Sequence, residues 1–444
     1  MLTFTSSRRE FLRLGGLAFG GLTLSDIMRL RAQTGQQTPM RPKAVIFVYL
    51  FGGPSHVDTY DMKPDAPAEY RGEFRPGRTN VPGFHFCDLM PLQATIADKL
   101  ALVRNLAFNP NFHDPVELFS GFRKPTEAGT AARPDFGSVV SRLRQGQRQE
   151  LPPYVALDEL CGQRFRNGPA YLGLAHKAFI VRDNLDNFAL NRNVTVNRLQ
   201  ERTTLLREFD AMNRELETAR GALGSTDHFT AQALEMITNP RVRDAFDIAR
   251  EPQQLRDRYG YGGALKLLQA RRLVEAGVPV VTMTFGDDHR DCFRPGASGS
   301  WDTHERNFIC LRTLMPRLDR AVHALITDLH DRGLSNDVLV YVGGEMGRTP
   351  RVGQGTGNGA SPDGRDHWVR AGFGLFAGGG LRMGQVVGRT DRYGSAPVGA
   401  PYRPQNLLAT FYHVLGIDPA MTFPDHGGRP IYILDDREKI NELL

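Results

Sequence analysis

Three short stretches bring carboxylates and imidazoles together. In SGSWDTHERN, Asp302 and His304 follow Trp301; in GRDHW, Asp366 and His367 are adjacent and precede Trp368; in GGEMGRTP, Glu345 comes just before Arg348. A hard or borderline divalent cation asks for two or three anionic oxygens, and imidazole nitrogen moves the preference from magnesium or calcium toward zinc, manganese or iron. Asp302 with His304 and Asp366 with His367 supply that chemistry, and Glu345 could bridge them. Taken singly, each pair reads more readily as a helix N-cap aspartate beside a surface histidine, and Arg348 reads as well as a structural ion pair. Together they favour a divalent site for zinc, manganese, calcium or magnesium, with the Arg348 fork gripping an anionic phosphate or sulfate group.

The elements that must position these residues alternate along the chain. KAVIFVYLFGG is a continuous apolar run from Ala44 to Phe51 ended by Gly52 and Gly53, the pattern of a strand buried on both faces of a parallel sheet. A strand near Leu100 to Arg104, a helix from Pro115 and a strand in PPYVALD follow, then a charged helical stretch from Val194 to Arg220. ALKLLQARRLVEAG reads as a helix ended by Gly277, with the strand VPVVTMTF behind it; LDRAVHALITDLHDRG and the strand Val338 to Val342 repeat that order. The expected fold is therefore α/β, a doubly wound, mostly parallel sheet with helices on both faces. Ligands in such sheets gather at the carboxyl ends of the strands. Ser55, His56, Asp58 and Asp61 lie past the first strand, Asp287, Asp288, His289, Asp302, His304 and Glu305 past VPVVTMTF, and Glu345, Arg348 and Thr349 past VLVYV. Asp302 or Thr303 is expected to share in capping the helix that follows. A Gly-rich stretch, Val352 to Gly364, reads as a lid or as a flexible insertion.

A chain of 444 residues with 41% hydrophobic and 23% charged side chains suffices for one large α/β domain or two smaller ones. The net charge of +6 does not point to nucleic acid, because its arginines are scattered rather than gathered in a stripe. Half of that excess lies in residues 1–33, which carry five Arg against Glu10 and Asp26. There SSRREFLRLGGLAFGGLTL joins paired Arg8 and Arg9 to Phe11, Leu12 and a weak, Gly-rich apolar run, the order of a twin-arginine export signal; a basic amphipathic helix is the alternative. The run is too short and Gly-rich for a stable membrane span. The expected organisation is a signal at 1–33, a linker at 34–42 and a single domain at 43–444, exported by the twin-arginine machinery to the periplasm or cell surface. Cys87, Cys161, Cys292 and Cys310 show no CxxC or Cys/His zinc spacing, so buried thiols are expected, with one disulfide left open.

LLQARRLVEAGVPVVTM, WDTH, DLHDRGLSNDVLVYVGGEMGRTP, GRDHW, LFAGGGLRMGQVVGRTD and RPQNLLATFYHVLGIDP, in that order, resemble the motifs of the bacterial family called domain of unknown function 1501. FGGPSHVDTYDMKPDAPAEYRGEF and LPPYVALDE match one branch of it. Its members are mostly exported by the twin-arginine route and are grouped with the alkaline phosphatase and sulfatase superfamily, so the resemblance implies that fold, with one or two metal ions held by Asp and His at strand ends. Carried onto this chain, it implies Asp302 and His304 as the first metal-binding pair, Asp366 and His367 as a later one, Glu345 at the position of an intermediate ligand, and His426 as a weaker candidate.

The chain departs from the superfamily pattern twice. Where a strand should end in a metal-binding Asp-Gly, this one ends Phe51-Gly52-Gly53, leaving His56 and Asp58 as the nearest substitutes. NFHDPVELFSGF resembles the nucleophile helix of sulfatases when Gly121 is aligned, and the nucleophile position is then Asn111. An amide is no usable nucleophile at neutral pH. His113 or Asp114 could act instead, His113 as metal ligand, general base or nucleophile. Water whose pKa a divalent ion lowers toward ~7 would need neither Ser nor Thr. An alignment shifted by one turn would bring Ser120 or Thr126 into play. Three readings follow: a metal-dependent hydrolase of phosphate or sulfate esters, a non-catalytic protein that binds a sulfated or phosphorylated polysaccharide, and a metal-free structural domain at the cell surface. Trp301 and Trp368, which flank the two Asp/His pairs, read by default as core residues and alternatively as platforms for a sugar ring.

Overall fold

The first strand shows how the sequence makes the sheet. Ala44–Tyr49 (β1) is apolar and buried at every position, and its side chains divide by parity. Ala44, Ile46 and Val48 enter one core cluster, and Val45, Phe47 and Tyr49 enter another on the opposite face. A strand apolar at every position can satisfy both faces only if both are covered. The computed structural model describes residues 43–109, 113–123, 132–145, 151–159, 168–181, 240–286 and 300–444. The expected signal and linker, the Val194 to Arg220 stretch, Asn111, Thr126, Asp287, Asp288, His289, Cys161 and Cys292 lie outside those residues.

The other central strands are β2 (Ala101–Leu106), β3 (Tyr154–Ala156), β4 (Phe179–Ile180), β5 (Val280–Thr284) and β6 (Val338–Gly343). The short pair β7 (Gly347–Arg348) and β8 (His367–Trp368) follows, then β9 (Gly372–Gly378) and β10 (Gln385–Val387). The eight-stranded sheet runs β10, β2, β9, β6, β1, β5, β3, β4. All neighbours pair in parallel except around β9, which runs against both β6 and β2. The doubly wound, mostly parallel α/β sheet expected from the alternating pattern is the sheet that forms.

Helices α3 (Leu265–Glu275) and α4 (Asn307–Asp331) cover one face, contributing Leu267, Leu268, Leu311, Leu318 and Leu325 to the cluster around Ile46. Helices α1 (Val116–Ser120), α2 (Phe136–Leu143) and α5 (Pro404–Val414) cover the other. There Phe47 lies 4.7 Å from Phe119, 4.9 Å from Tyr341 and 5.9 Å from Phe136, ring centre to ring centre. Lys43–Leu444 form one compact unit. No helix among the described residues is long and apolar enough to cross a membrane.

The start of α4 corrects one expectation. Neither Asp302 nor Thr303 caps it: the helix opens at Asn307 behind Arg306, which has a left-handed backbone (φ 51°) and makes no side-chain cap bond. Asp363 takes over, its carboxylate accepting from the Arg306 N–H at 3.2 Å and its carbonyl from the Asn307 N–H at 3.1 Å. The cap is thus supplied from the far end of the Gly-rich stretch, and Asp302 is left for other partners.

Candidate metal centre

Four side chains converge beyond the carboxyl ends of the strands: His113, Asp302, His304 and His367, with one donor atom from each lying within 4.8 Å of all the others. His113 is reached from β2, Asp302 and His304 from β5, and His367 from β6 through the β7/β8 pair. The turn after β1 makes room for this meeting. At Gly52 the backbone has φ 108°, and a Cβ there would stand 2.5 Å from the amide nitrogen of Asp302. Only glycine combines that conformation with so close an approach.

The geometry is that of nitrogens aimed at one point. His304 Nε2 lies 2.9 Å from His367 Nε2, which lies 3.1 Å from His113 Nε2. Asp302 Oδ1 stands 3.1 Å, 3.0 Å and 3.6 Å from the Nε2 atoms of His113, His304 and His367. Tetrahedral ligands at zinc–nitrogen distances of ~2.0–2.1 Å sit about 3.4 Å from one another, so these spacings suit a single ion. The outer nitrogens are committed elsewhere. His113 Nδ1 meets Glu345 Oε1 at 2.9 Å, His304 Nδ1 meets the Gly359 carbonyl at 2.6 Å, and His367 Nδ1 meets the Asn358 amide at 3.2 Å. A carboxylate and a carbonyl are acceptors, so when neutral His113 and His304 carry their protons on Nδ1 and turn Nε2 lone pairs inward, whereas when protonated their Nε2–H groups donate to Asp302.

Lone pairs in such proximity require a positive charge among them. Burial opposes charge on His113, but its hydrogen bonds to Asp302 and Glu345 outweigh burial and raise its pKa to about 9. Burial likewise opposes charge on Asp302, yet the hydrogen bonds from His113, His304 and His367 and the nearby Arg348 hold its carboxyl far below the usual range. A proton is the smallest cation that satisfies this cluster, and a divalent ion satisfies it with all three imidazoles neutral. The His113 and His304 side chains remain 21% and 25% exposed, leaving one side open to solvent.

The expected site residues divide between holding the point and supporting those that do. His113, for which three roles were open, stands among the converging donors. Glu345 does not enter that set: Oε1 accepts from His113 and from the Gly52 N–H at 2.9 Å, and Oε2 is buried without a hydrogen bond among the described residues. Asp366 is also outside it. Its Oδ1 lies 3.4 Å from His304 Nδ1, and its Oδ2 accepts from the Thr356 and Gly359 N–H groups at 2.6 Å and 3.0 Å. Burial pushes the Asp366 carboxyl up, while the Thr356 and His367 N–H groups bring it below its ordinary value. Asp58 sits in a separate buried knot, bound by Arg365 at 2.7 Å and 3.0 Å, Ser55 Oγ at 2.6 Å and Asn307 Nδ2 at 2.9 Å.

The arginine fork is not free for a ligand. Arg348 is fully buried, and it donates to the carbonyls of Gly52, Gly53 and Arg365 and to Asp302 Oδ1. The expectation that it grips ester oxygens gives way to a role fixing Asp302. His56 is fully buried with Nε2 on the Gly394 carbonyl, and His426 is exposed in a turn. Ser120 Oγ donates to the carbonyls of Val116 and Phe122 within its own helix turn. Trp301 is core, its indole N–H on the Phe285 carbonyl, whereas Trp368 is half-buried and donates to Ser395. Cys87 and Cys310 are buried. Sequence reading passed over Arg365 and Asn307, which hold Asp58; the one signal was the arginine directly before Asp366-His367.

Fold and site together define an α/β protein with a histidine-rich candidate metal centre at the carboxyl edge of its sheet. The chain belongs to the family described as Protein of unknown function (DUF1501), whose model matches residues 42–444. No functionally curated protein matches it in sequence. Among solved structures it is similar to the PsFucS1 sulfatase from Pseudoalteromonas sp., at 12% identity over 93% of this chain and 72% of that one, TM-score 0.38. It is also similar to the phosphonate monoester hydrolase SpPMH from Silicibacter pomeroyi, at 12% identity over 85% and 74%, TM-score 0.38. A third likeness is to the C-terminal periplasmic domain of EcEptC from Escherichia coli, in complex with Zn, at 10% identity over 92% and 93%, TM-score 0.37. Similarity at this level carries neither substrate nor chemistry over to this chain.

Proposed function

We propose that the chain is an exported metal-dependent hydrolase of phosphate or sulfate esters, built on a single ion held by His113, Asp302, His304 and His367. The observation that carries the reading is the convergence of three imidazole Nε2 atoms and one carboxylate on a point that solvent reaches on the side of His113 and His304. Three nitrogens and one oxygen favour zinc over calcium or magnesium. A divalent ion bound there would polarise an ester oxygen and make water a better nucleophile. The chain's own residues do the rest: Glu345 orients His113, and Arg348 holds Asp302 in place. This route asks nothing of Asn111. Export rests on Arg8 and Arg9 with the apolar run behind them, and a paired substitution of both by Lys should hold a tagged chain inside the cell.

A second reading has its own support. Four protein donors already complete a tetrahedral shell, the hallmark of ions that hold structure rather than turn over substrate, and Arg348 is fully buried with four of its five N–H groups spent on protein oxygens. The protein would then bind a sulfated or phosphorylated polysaccharide without cleaving it. The deciding experiment is metal analysis of the purified chain, followed by a panel of phosphate, phosphonate and sulfate esters with wild type and Glu345→Gln. Stoichiometric metal with cleavage lost in the variant supports the hydrolase; stoichiometric metal with no cleavage across the panel supports the binding protein.

A further inference from the structure

The Gly-rich stretch beyond β7 is tied to the metal donors themselves. Thr356 N–H and Gly359 N–H donate to Asp366 Oδ2, and Thr356 Oγ1 donates to the His367 carbonyl at 3.1 Å. The Gly359 carbonyl accepts from His304 Nδ1, the Asn358 amide meets His367 Nδ1, and the Ser361 N–H donates to the His304 carbonyl at 2.9 Å. Two of the three imidazoles thus have their outer nitrogens held by one segment, Thr356 to Ser361. That segment, TGNGAS, has no large apolar side chain to bury. Its order rests on those polar contacts, against the high conformational entropy of a glycine-rich chain.

We propose that Thr356–Ser361 is a clasp whose closure and the loading of the metal site are one coupled event, with Asp366 as the positioning residue that latches it. The proposal rests on the metal-site reading above. An ion on His304 and His367 fixes both rings with their protons on Nδ1, so that His304 donates to the Gly359 carbonyl and the Asn358 side chain turns its amide oxygen to accept from His367. The coupling is reciprocal: whatever opens the clasp loosens the ion by the same factor. Asp366 connects the two halves, since one oxygen faces His304 Nδ1 and the other takes the clasp N–H groups.

A glycine in the clasp allows a test that touches no donor. Gly357 has φ 118° and open space where a Cβ would go, so Gly357→Ala strains the closed backbone without a collision. Gly355 also faces open space but lacks the left-handed φ, which makes Gly355→Ala the matched control. Zinc affinity, by competition with a chromophoric chelator, and hydrogen–deuterium exchange of the 352–364 peptide, with zinc and with chelator, are measured on wild type and both variants. Zinc should slow exchange in that peptide, and Gly357→Ala should weaken zinc binding on the order of ten-fold while Gly355→Ala leaves it unchanged. Wild-type binding of zinc with identical exchange in both states, or equal affinity in Gly357→Ala, overturns the clasp and leaves the metal site standing. A wild type that takes up no zinc overturns the metal site and the clasp together.

Discussion

Two imidazoles that give their Nδ1 protons to a carboxylate and a carbonyl have, when neutral, only lone pairs to offer at Nε2. When those lone pairs meet a third imidazole and a carboxylate within about 3 Å, a cation is the natural occupant. Glu345 is the residue on which this argument can be tested without removing a donor. Glu345→Gln keeps the shape but exchanges a charged acceptor for a neutral one against His113 Nδ1, and outer partners of this kind are worth roughly 10–100-fold in metal affinity. A titration with zinc should show that loss, and unchanged affinity would mean that His113 is not held through Glu345. The same contrast shows how far the site was legible in the sequence. Asp302, His304 and His367 were readable because two Asp/His pairs at successive strand ends, unlike either pair alone, are hard to explain as helix caps. Glu345 and Asp366 were taken for donors because a carboxylate that binds an ion and one that steadies a ligand are the same residue type, separated only by a few ångströms of side-chain placement. Arg348 was misread for a similar reason: sequence shows a fork but not the backbone carbonyls that occupy it.

The elements were more legible than the contacts between them. Strands that are almost wholly apolar, and helices ended by Gly277 and Gly333, place β1, β5, β6, α3 and the end of α4 almost unaided. Hidden from sequence was the start of α4, because its cap comes from Asp363 across the clasp. Helix α4 also carries a buried carboxylate with a job at a distance. Asp319 accepts from the Leu92 and Gln93 N–H groups at 2.9 Å and 2.7 Å, joining the helix to the short turn at Pro91–Ala94. Burial pushes its carboxyl up to about 6 despite those two donors. A free aspartate titrates near ~3.9, so the native state binds this proton more tightly than the unfolded chain does. The resulting stability is fully present below about pH 4 and is lost as pH rises through 6, on the order of 2–3 kcal/mol in all. With chelator present throughout, urea unfolding of wild type between pH 4 and 7 should show this loss and Asp319→Asn should lack it. Parallel pH profiles for the two proteins would remove Asp319 as the cause.

At the scale of the whole domain, the candidate site is a tie between distant parts of the chain. His113 and His367 are 254 residues apart in sequence and meet at 3.1 Å, with Asp302 and His304 entering from a third segment. The unfolded chain has no such assembled site, so the free energy of binding adds almost wholly to the stability of the folded state. At a hundredfold excess of ion over its Kd this amounts to about 2.7 kcal/mol. Thermal unfolding should therefore move up by a few degrees on adding zinc and return on adding chelator. His304→Ala removes one donor whose ring is a quarter exposed, so it should spare the core and abolish the zinc-dependent part of the shift. A shift that survives in His304→Ala would place the stabilising ion somewhere other than the four converging residues. A chain that melts at the same temperature with and without zinc would mean that the imidazoles meet around a proton, as the raised pKa of His113 already permits in the absence of metal.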